Sequence, residues 1–455
     1  ALMRMGRAQE ARDSYDRALA IKPDHPDALH NRGTALLALG RFEEAVAAYD
    51  KLLANHPGAV PALVNRGTAL RELRRSEDAL ASYDLALASQ QDHVNALNNR
   101  GNVLAELKRY AEAMKSYDQS LAIDPNDPET LCNRGVALMD ARQYELAAAD
   151  FEASRRIDPD RAYLLGQLNH CLRHCCDWQA STKVTAEITQ AIRAGRRADF
   201  PFSFLSVSGD TADQRRCAEA YVRDKYPASA PSPVREVGER IRIAYMSSDY
   251  REHPIAYLTA GLFEHHDLAR FETFGIALGP DEPSEMRARI RSGFETFIEA
   301  GGKSDAEVAR LIGEVGADIV VDLNGHTDGA RTAILAMRPA PIQVSYIGLA
   351  GTMGAPFIDY VIADPILIAP SDERYYAEKV VRLPEMYLVN DDKRAISEST
   401  PTRAEAGLPE TGFVFCSFNN AYKITPEIFA VWMRLLDRVE GSAVSYTHLT
   451  LPTKA

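Results

Sequence analysis

Asn-Arg-Gly occurs at Asn31, Asn65, Asn99 and Asn133, each 34 residues after the last. A strict period of this length is produced by a stack of like units, each packed on its neighbours, and not by one globular core. Alanine keeps the interval at Ala11, Ala45, Ala79, Ala113 and Ala147, and an aromatic keeps it at Tyr15, Tyr49, Tyr83, Tyr117 and Phe151. Proline closes the units at Pro23, Pro57, Pro125 and Pro159, with Gln91 as the one lapse. The alanine lets paired helices approach, the aromatic fills the space between them, and proline ends the second helix.

Small, aromatic and proline positions in this order on this period match the tetratricopeptide pattern, here over residues 1–180. Such an α-solenoid leaves a groove suited to peptide. The asparagines put one side chain per unit along one side of the array. An amide that both donates and accepts suits an extended peptide backbone, and it equally suits hydrogen bonds between repeats. The array opens part-way through a unit, so further repeats are expected ahead of Ala1. It runs into His170-Cys171 and His174-Cys175-Cys176-Asp177-Trp178. No second ligand pair follows at zinc spacing, and a helix would turn several of these side chains apart. Packing cysteines and a buried tryptophan are expected there, and no metal.

The net charge of −12 over 455 residues argues against nucleic acid or an anionic membrane as the main partner. No apolar run approaches the roughly eighteen residues of a membrane span, and no signal-peptide plan opens the chain. Six cysteines in so long a chain do not make a disulfide framework, which points to a cytoplasmic setting. Residues 181–238 carry Pro201, Pro227, Pro231 and Pro233 and read as a helical connector ending in a proline-rich joint.

Residues 239–395 alternate strands with helices, as in a parallel doubly wound sheet. Strands are predicted at Arg240–Tyr245, Thr273–Leu278, Asp318–Leu323, Pro341–Ile347, Val361–Ala363 and Lys379–Leu383, with a helix at Ser304–Val315. The first strand turns polar at Ser247-Ser248-Asp249 and reaches His253-Pro254, where Asp249 could act as a helix cap and proline suits a first helical turn. Strand ends would bring Asp249, His253, His326 and the loop Gly348–Gly354 to one sheet edge, where glycines admit close ligand approach. His326 reads either as a ligand contact or as a satisfied loop histidine. Neither G-x-G-x-x-G nor a Walker loop is present.

A second domain is predicted over 396–444, with a strand at Phe413–Phe418 and a helix from Thr425-Pro426-Glu427. Lys423, just ahead of that helix, would add its charge to the helix dipole at a diphosphate site. Beyond Val444 neither strand alternation nor helix is legible, and Ser445–Ala455 is expected to be foreign read-through.

Together the array, Cys176-Asp177-Trp178, SSDYREHP, DLNGHTDGAR, RPAPIQVSYIGLAGTMG and FNNAYKI resemble the protein O-GlcNAc transferase family, glycosyltransferase family 41, which includes SPINDLY-type O-fucosyltransferases. The resemblance implies a superhelix joined to two GT-B-type α/β lobes, the second incomplete, and inverting transfer of GlcNAc from UDP-GlcNAc to Ser or Thr hydroxyls without a metal. By motif it makes Asp249 the candidate proton acceptor, His253 a donor-sugar and phosphate contact, and Lys423 the group that neutralises the leaving diphosphate. Pro254, Gly348, Gly351, Thr352, Asn420 and Tyr422 would flank the donor, and Asn31, Asn65, Asn99 and Asn133 would read acceptor peptides. Asn420 stands where O-GlcNAc transferases carry glutamine, which leaves GDP-fucose as the rival donor; Phe202 replaces a histidine of some relatives. A Gly-His-Thr-Thr uridine motif has no counterpart, so the chain as it stands is expected to be inactive. A non-catalytic repeat adaptor is the alternative from another class.

Overall fold

The computed structural model describes residues 2–226, 230, 231, 233, 234, 236, 238–394 and 399–446. It divides into two compact units, Ala1–Cys175 and Cys176–Ala455.

The first unit is a run of antiparallel helices: α1 (Ala8–Ile21), α2 (Pro26–Ala38), α3 (Phe42–Asn55), α4 (Val60–Glu72), α5 (Ser76–Ser89), α6 (Val94–Glu106), α7 (Tyr110–Ile123), α8 (Pro128–Asp140), α9 (Tyr144–Ile157) and α10 (Leu164–His174). The repeated alanines are buried, and Tyr49, Tyr83, Tyr117 and Phe151 are sealed between helices. The glycine of each Asn-Arg-Gly explains how a ring that large fits. A Cβ on Gly33, Gly67, Gly101 or Gly135 would stand 2.5, 2.6, 2.5 or 2.8 Å from the ring of Tyr49, Tyr83, Tyr117 or Phe151. The arginine between is an interhelical strut, with Arg32, Arg66 and Arg100 donating Nε to Asp16, Asp50 and Asp84 at 2.6 Å. Where Gln91 stands in place of the closing proline, α5 still ends at Ser89.

In the second unit, α11 (Trp178–Arg193), α12 (Pro201–Leu205) and α13 (Thr211–Lys225) form the connector. A seven-stranded sheet follows, built from β1 (Ile241–Ser247), β2 (Phe271–Ala277), β3 (Thr296–Glu299), β4 (Ile319–Asp322), β5 (Ile342–Ser345), β6 (Tyr360–Ala363) and β7 (Lys379–Arg382). Its order is β3-β2-β1-β4-β5-β6-β7, parallel throughout. Helices α14 (Pro254–Glu264), α15 (Glu285–Ser292), α16 (Asp305–Glu314) and α17 (Thr332–Ala336) complete the doubly wound plan. Along β1 the residues alternate between two cores: Ile243 and Tyr245 pack with Phe263 of α14, while Ala244 and Met246 pack with Ile312 of α16. Ser304 starts α16 with a full capping box to Glu307.

A two-stranded parallel sheet, β8 (Val414–Ser417) and β9 (Ala443–Tyr446), brackets α18 (Pro426–Arg438). Strand β9 runs past Val444 in register with β8, with Ser417 opposite Tyr446, so Ser445 and Tyr446 are strand where the sequence showed none. The rest of the expected tail, residues 447–455, lies outside the described residues, as does Pro227. Strand β3 and helix α15 were not predicted. Among the described residues no helix is long and apolar enough to cross a membrane.

At the array's end Cys171 is buried, but Cys175 and Trp178 are half-buried and Cys176 is exposed, so the expectation of packing cysteines with a buried tryptophan holds only for Cys171. His174 stacks on Tyr144 with ring centroids 4.0 Å apart, and burial pushes its imidazole down to about 4. Among the described residues no three His, Cys, Asp or Glu side chains are grouped to hold a metal ion.

Candidate active site

The chain leaves β1 toward β2 and β3 on one side and returns to β4 on the other. Ligands of open α/β sheets bind at such a reversal, outside the carboxyl ends of the two strands. Ser247-Ser248-Asp249 follows β1, and Leu323-Asn324 follows β4.

Asn324 ties the two strand ends together. Its side-chain oxygen accepts from the Ser248 backbone N–H at 2.8 Å, and its Nδ2 donates to Ser248 Oγ and to Asp249 Oδ2, both at 2.8 Å. The Asp249 backbone N–H donates to Ser247 Oγ at 3.0 Å. The Asp249 side chain is therefore nearly buried, held by an amide, with the Arg251 guanidinium at 3.5 Å from Oδ1 and His253 Nδ1 at 3.7 Å from Oδ2. Below it lies Asp322, whose carboxylate accepts from the Asn324 and Gly325 backbone N–H groups. Burial pushes Asp322 up to about 6.

Asp249 does not cap a helix. That position belongs to His253, whose Nδ1 accepts from the Ile255 N–H at 3.3 Å, with Pro254 in the first turn of α14 as predicted. An accepting Nδ1 assigns the neutral ring's proton to Nε2. The His253 side chain is about one-third exposed.

The glycine-rich loop lies beside these residues. A Cβ on Gly348 would be 2.3 Å from the Leu323 carbonyl oxygen and 2.5 Å from that of Asn324, so only glycine lets the loop reach the end of β4. Gly351 faces Leu205 of α12. Thr352 is buried; its hydroxyl donates to Glu378 at 2.7 Å and accepts from the Gly354 and Ala377 N–H groups. Both sides of the Met353 peptide are held: its N–H donates to Glu378 at 2.8 Å, and its carbonyl lies 2.7 Å from His326 Nε2. His326 is thus a satisfied loop histidine, pushed down to about 4 by burial, and burial raises Glu378.

The remaining candidates follow β8. Asn420 and Lys423 are exposed around a single helical turn, Ala421–Lys423, and Lys423 Nζ lies 5.8 Å from the Tyr422 ring centroid. Thr425 caps α18 by accepting from the Ile428 N–H, and Pro426 occupies its first turn. Lys423 therefore closes the turn that leads directly into the capped start of α18. The asparagine column is half-buried throughout, on α2, α4, α6 and α8, and Asn133 Nδ2 donates to Asn98 of the preceding unit at 3.1 Å. At least one member of the column thus also bonds between repeats.

Asn324, Glu378 and the Asp322 shelf were not among the predicted site residues. The DLNGH string was visible, but its partners depend on β1 lying beside β4, which only the topology supplies.

Residues 216–400 and 397–453 match the family model for glycosyl transferase family 41, and residues 1–60 and 64–128 match a tetratricopeptide repeat model. The chain is 35% identical over 300 residues to a probable UDP-N-acetylglucosamine–peptide N-acetylglucosaminyltransferase SEC of Arabidopsis thaliana, covering 61% of this chain and 31% of that protein. It is 33% identical over 204 residues to a protein of the same description, SPINDLY, from Hordeum vulgare, covering 44% of this chain and 21% of that protein. The chain thus spans less than a third of the length of these curated relatives. A solved mutant O-GlcNAc transferase from Thermobaculum terrenum shares the fold with a TM-score of 0.56 at 23% identity, over 85% of this chain and 68% of that one.

Proposed function

This chain belongs to glycosyl transferase family 41, and on that premise we propose that it is the catalytic and acceptor-binding part of an inverting transferase that moves GlcNAc from UDP-GlcNAc to Ser or Thr hydroxyls of proteins. The observation that carries the reading is the buried Asp249 carboxylate, fixed by Asn324 at the reversal between β1 and β4 with His253 beside it. In this reading Asp249 takes the acceptor hydroxyl's proton while that oxygen attacks the anomeric carbon from the face opposite the nucleotide. His253 Nε2–H donates to a donor oxygen. The bond to the diphosphate breaks as the new one forms, and the departing charge falls to Lys423 and the amides opening α18. The proposed step assigns that charge to protein groups and calls for no metal or organic cofactor. Acceptor segments lie along the repeat groove under Asn31, Asn65, Asn99 and Asn133, and a cytoplasmic setting belongs to the same reading.

The test is a donor panel run on the full-length gene product. Label transferred to protein from UDP-GlcNAc supports the reading, label from GDP-fucose alone replaces the donor, and no label from any nucleotide sugar rejects it.

A further inference from the structure

We infer that Trp178 is the positioning residue for the Lys423 turn, a role that rests on the diphosphate reading above. The turn's own hydrogen bonds, Lys423 N–H to the Asn420 carbonyl at 3.0 Å and Ile424 N–H to the Ala421 carbonyl at 2.9 Å, set its shape but not its place. Lys423 is exposed, so no packing around its side chain fixes it either. The next residue, Ile424, is buried. Its carbonyl accepts a hydrogen bond from Trp178 Nε1 at 3.1 Å, across 246 positions of sequence. The same indole packs on Phe429, with ring centroids 5.2 Å apart, and the Phe429 N–H bonds the Thr425 carbonyl in the first turn of α18. One side chain therefore holds both halves of the anion site: the backbone following the ammonium-bearing residue, and the helix whose first amides face the ligand.

Tryptophan suits this task because it joins a broad apolar face to a single N–H donor. Its presentation is built in. Cys176 takes a left-handed backbone conformation, φ 55°, unusual for a residue with a Cβ. Asp177 then caps α11 by accepting from the Ala180 N–H at 3.0 Å, which puts Trp178 at the first helical position with its indole directed at the second lobe's turn. The Cys176-Asp177-Trp178 string thus has a purpose in the fold: turn, cap and anchor in succession.

Trp178→Phe keeps an apolar face against Phe429 and deletes only the donor; Trp178→Ala deletes both. The test measures amide exchange over Asn420–Thr425 and inorganic pyrophosphate affinity by calorimetry, in the wild-type chain, Trp178→Phe, Trp178→Ala and Lys423→Met. Loss of the anchoring bond predicts about tenfold faster exchange in that segment and about tenfold weaker pyrophosphate binding in Trp178→Phe, with exchange over β1 and β4 unchanged. Lys423→Met should abolish pyrophosphate binding at wild-type exchange. Unchanged affinity in Trp178→Phe, with or without faster exchange, overturns the positioning role. A wild-type chain that binds no pyrophosphate, or Lys423→Met binding as well as wild type, overturns the diphosphate reading and the role with it.

Discussion

Asn324 donates to Asp249 across the seam between two strand ends that lie 75 residues apart in sequence, at 2.8 Å. The same amide takes the Ser248 N–H, so backbone and carboxylate are aligned by one side chain. A carboxylate held this way keeps one oxygen committed to Asn324 and the other beside the Arg251 guanidinium, at 3.5 Å.

Replacing Asn324 with Ala leaves a nearly buried carboxylate oxygen without its donor, and kcat for transfer should fall about 10- to 100-fold. Asn324→Asp is more diagnostic. A second carboxylate beside Asp249 disfavours its charged form and raises its pKa. The acid limb of the pH–rate profile should then move to higher pH, whereas a purely structural defect lowers the profile without shifting it.

In the array, Gly67→Ala sets two effects against each other. Alanine gains up to about 1 kcal/mol in helix propensity. Its Cβ, however, would stand 2.6 Å from the sealed Tyr83 ring, and overpacking costs about 1–3 kcal/mol. Net destabilisation is expected, seen as a lower thermal midpoint. Gly58→Ala is the control, since its Cβ would meet only Ser89 Oγ, at an ordinary 3.6 Å.

Arg289 lies between Glu264 and Asp391, at 2.8 and 2.7 Å, and Lys393 adds a contact to Glu264 at 2.9 Å. Hydrogen bonds from Arg289 hold Asp391 down at about 2, and those from Arg289 and Lys393 do the same for Glu264. Both carboxyls titrate near 4 when unfolded, so the folded state binds fewer protons. The stabilisation is complete above about pH 5 and fades as pH falls toward about 2. Asp391→Asn should therefore cost more stability at about pH 7 than at about pH 3, read from urea midpoints. A gap independent of pH contradicts the assignment.

How much of this is legible in the sequence depends on the range of the contact. The 34-residue period shows itself because like positions meet like environments. That Gly67 faces Tyr83, or that Arg66 reaches Asp50, is a fact of helix pairing and is hidden until the helices are placed. Strand β1 is readable from its apolar run. Strand β3 is not, since Thr296–Glu299 is four residues long, lies at the sheet edge and is at most half-buried. Asp249, His253 and Lys423 stand out by motif and strand-end position. Asn324 and Trp178 also sit in recognisable strings, but their roles do not show, because their partners lie 75 and 246 residues away.

Asn99→Ala should weaken binding of an extended acceptor peptide several-fold, as loss of one to two hydrogen bonds implies, with the thermal midpoint little changed. Asn133→Ala should lower the midpoint as well, because it also removes the bond to Asn98. Equal peptide affinity in both variants and wild type would leave the column a purely structural ladder.

The central claim is that Asp249 and His253, beyond the end of β1, and Lys423, beyond the end of β8, act on one donor. A crystal structure with UDP-GlcNAc tests it most directly. The account predicts diphosphate oxygens about 3 Å from Lys423 Nζ and from the first amides of α18, with the sugar facing Asp249 and His253. A donor bound with its diphosphate away from Lys423, or its sugar away from Asp249, would contradict it.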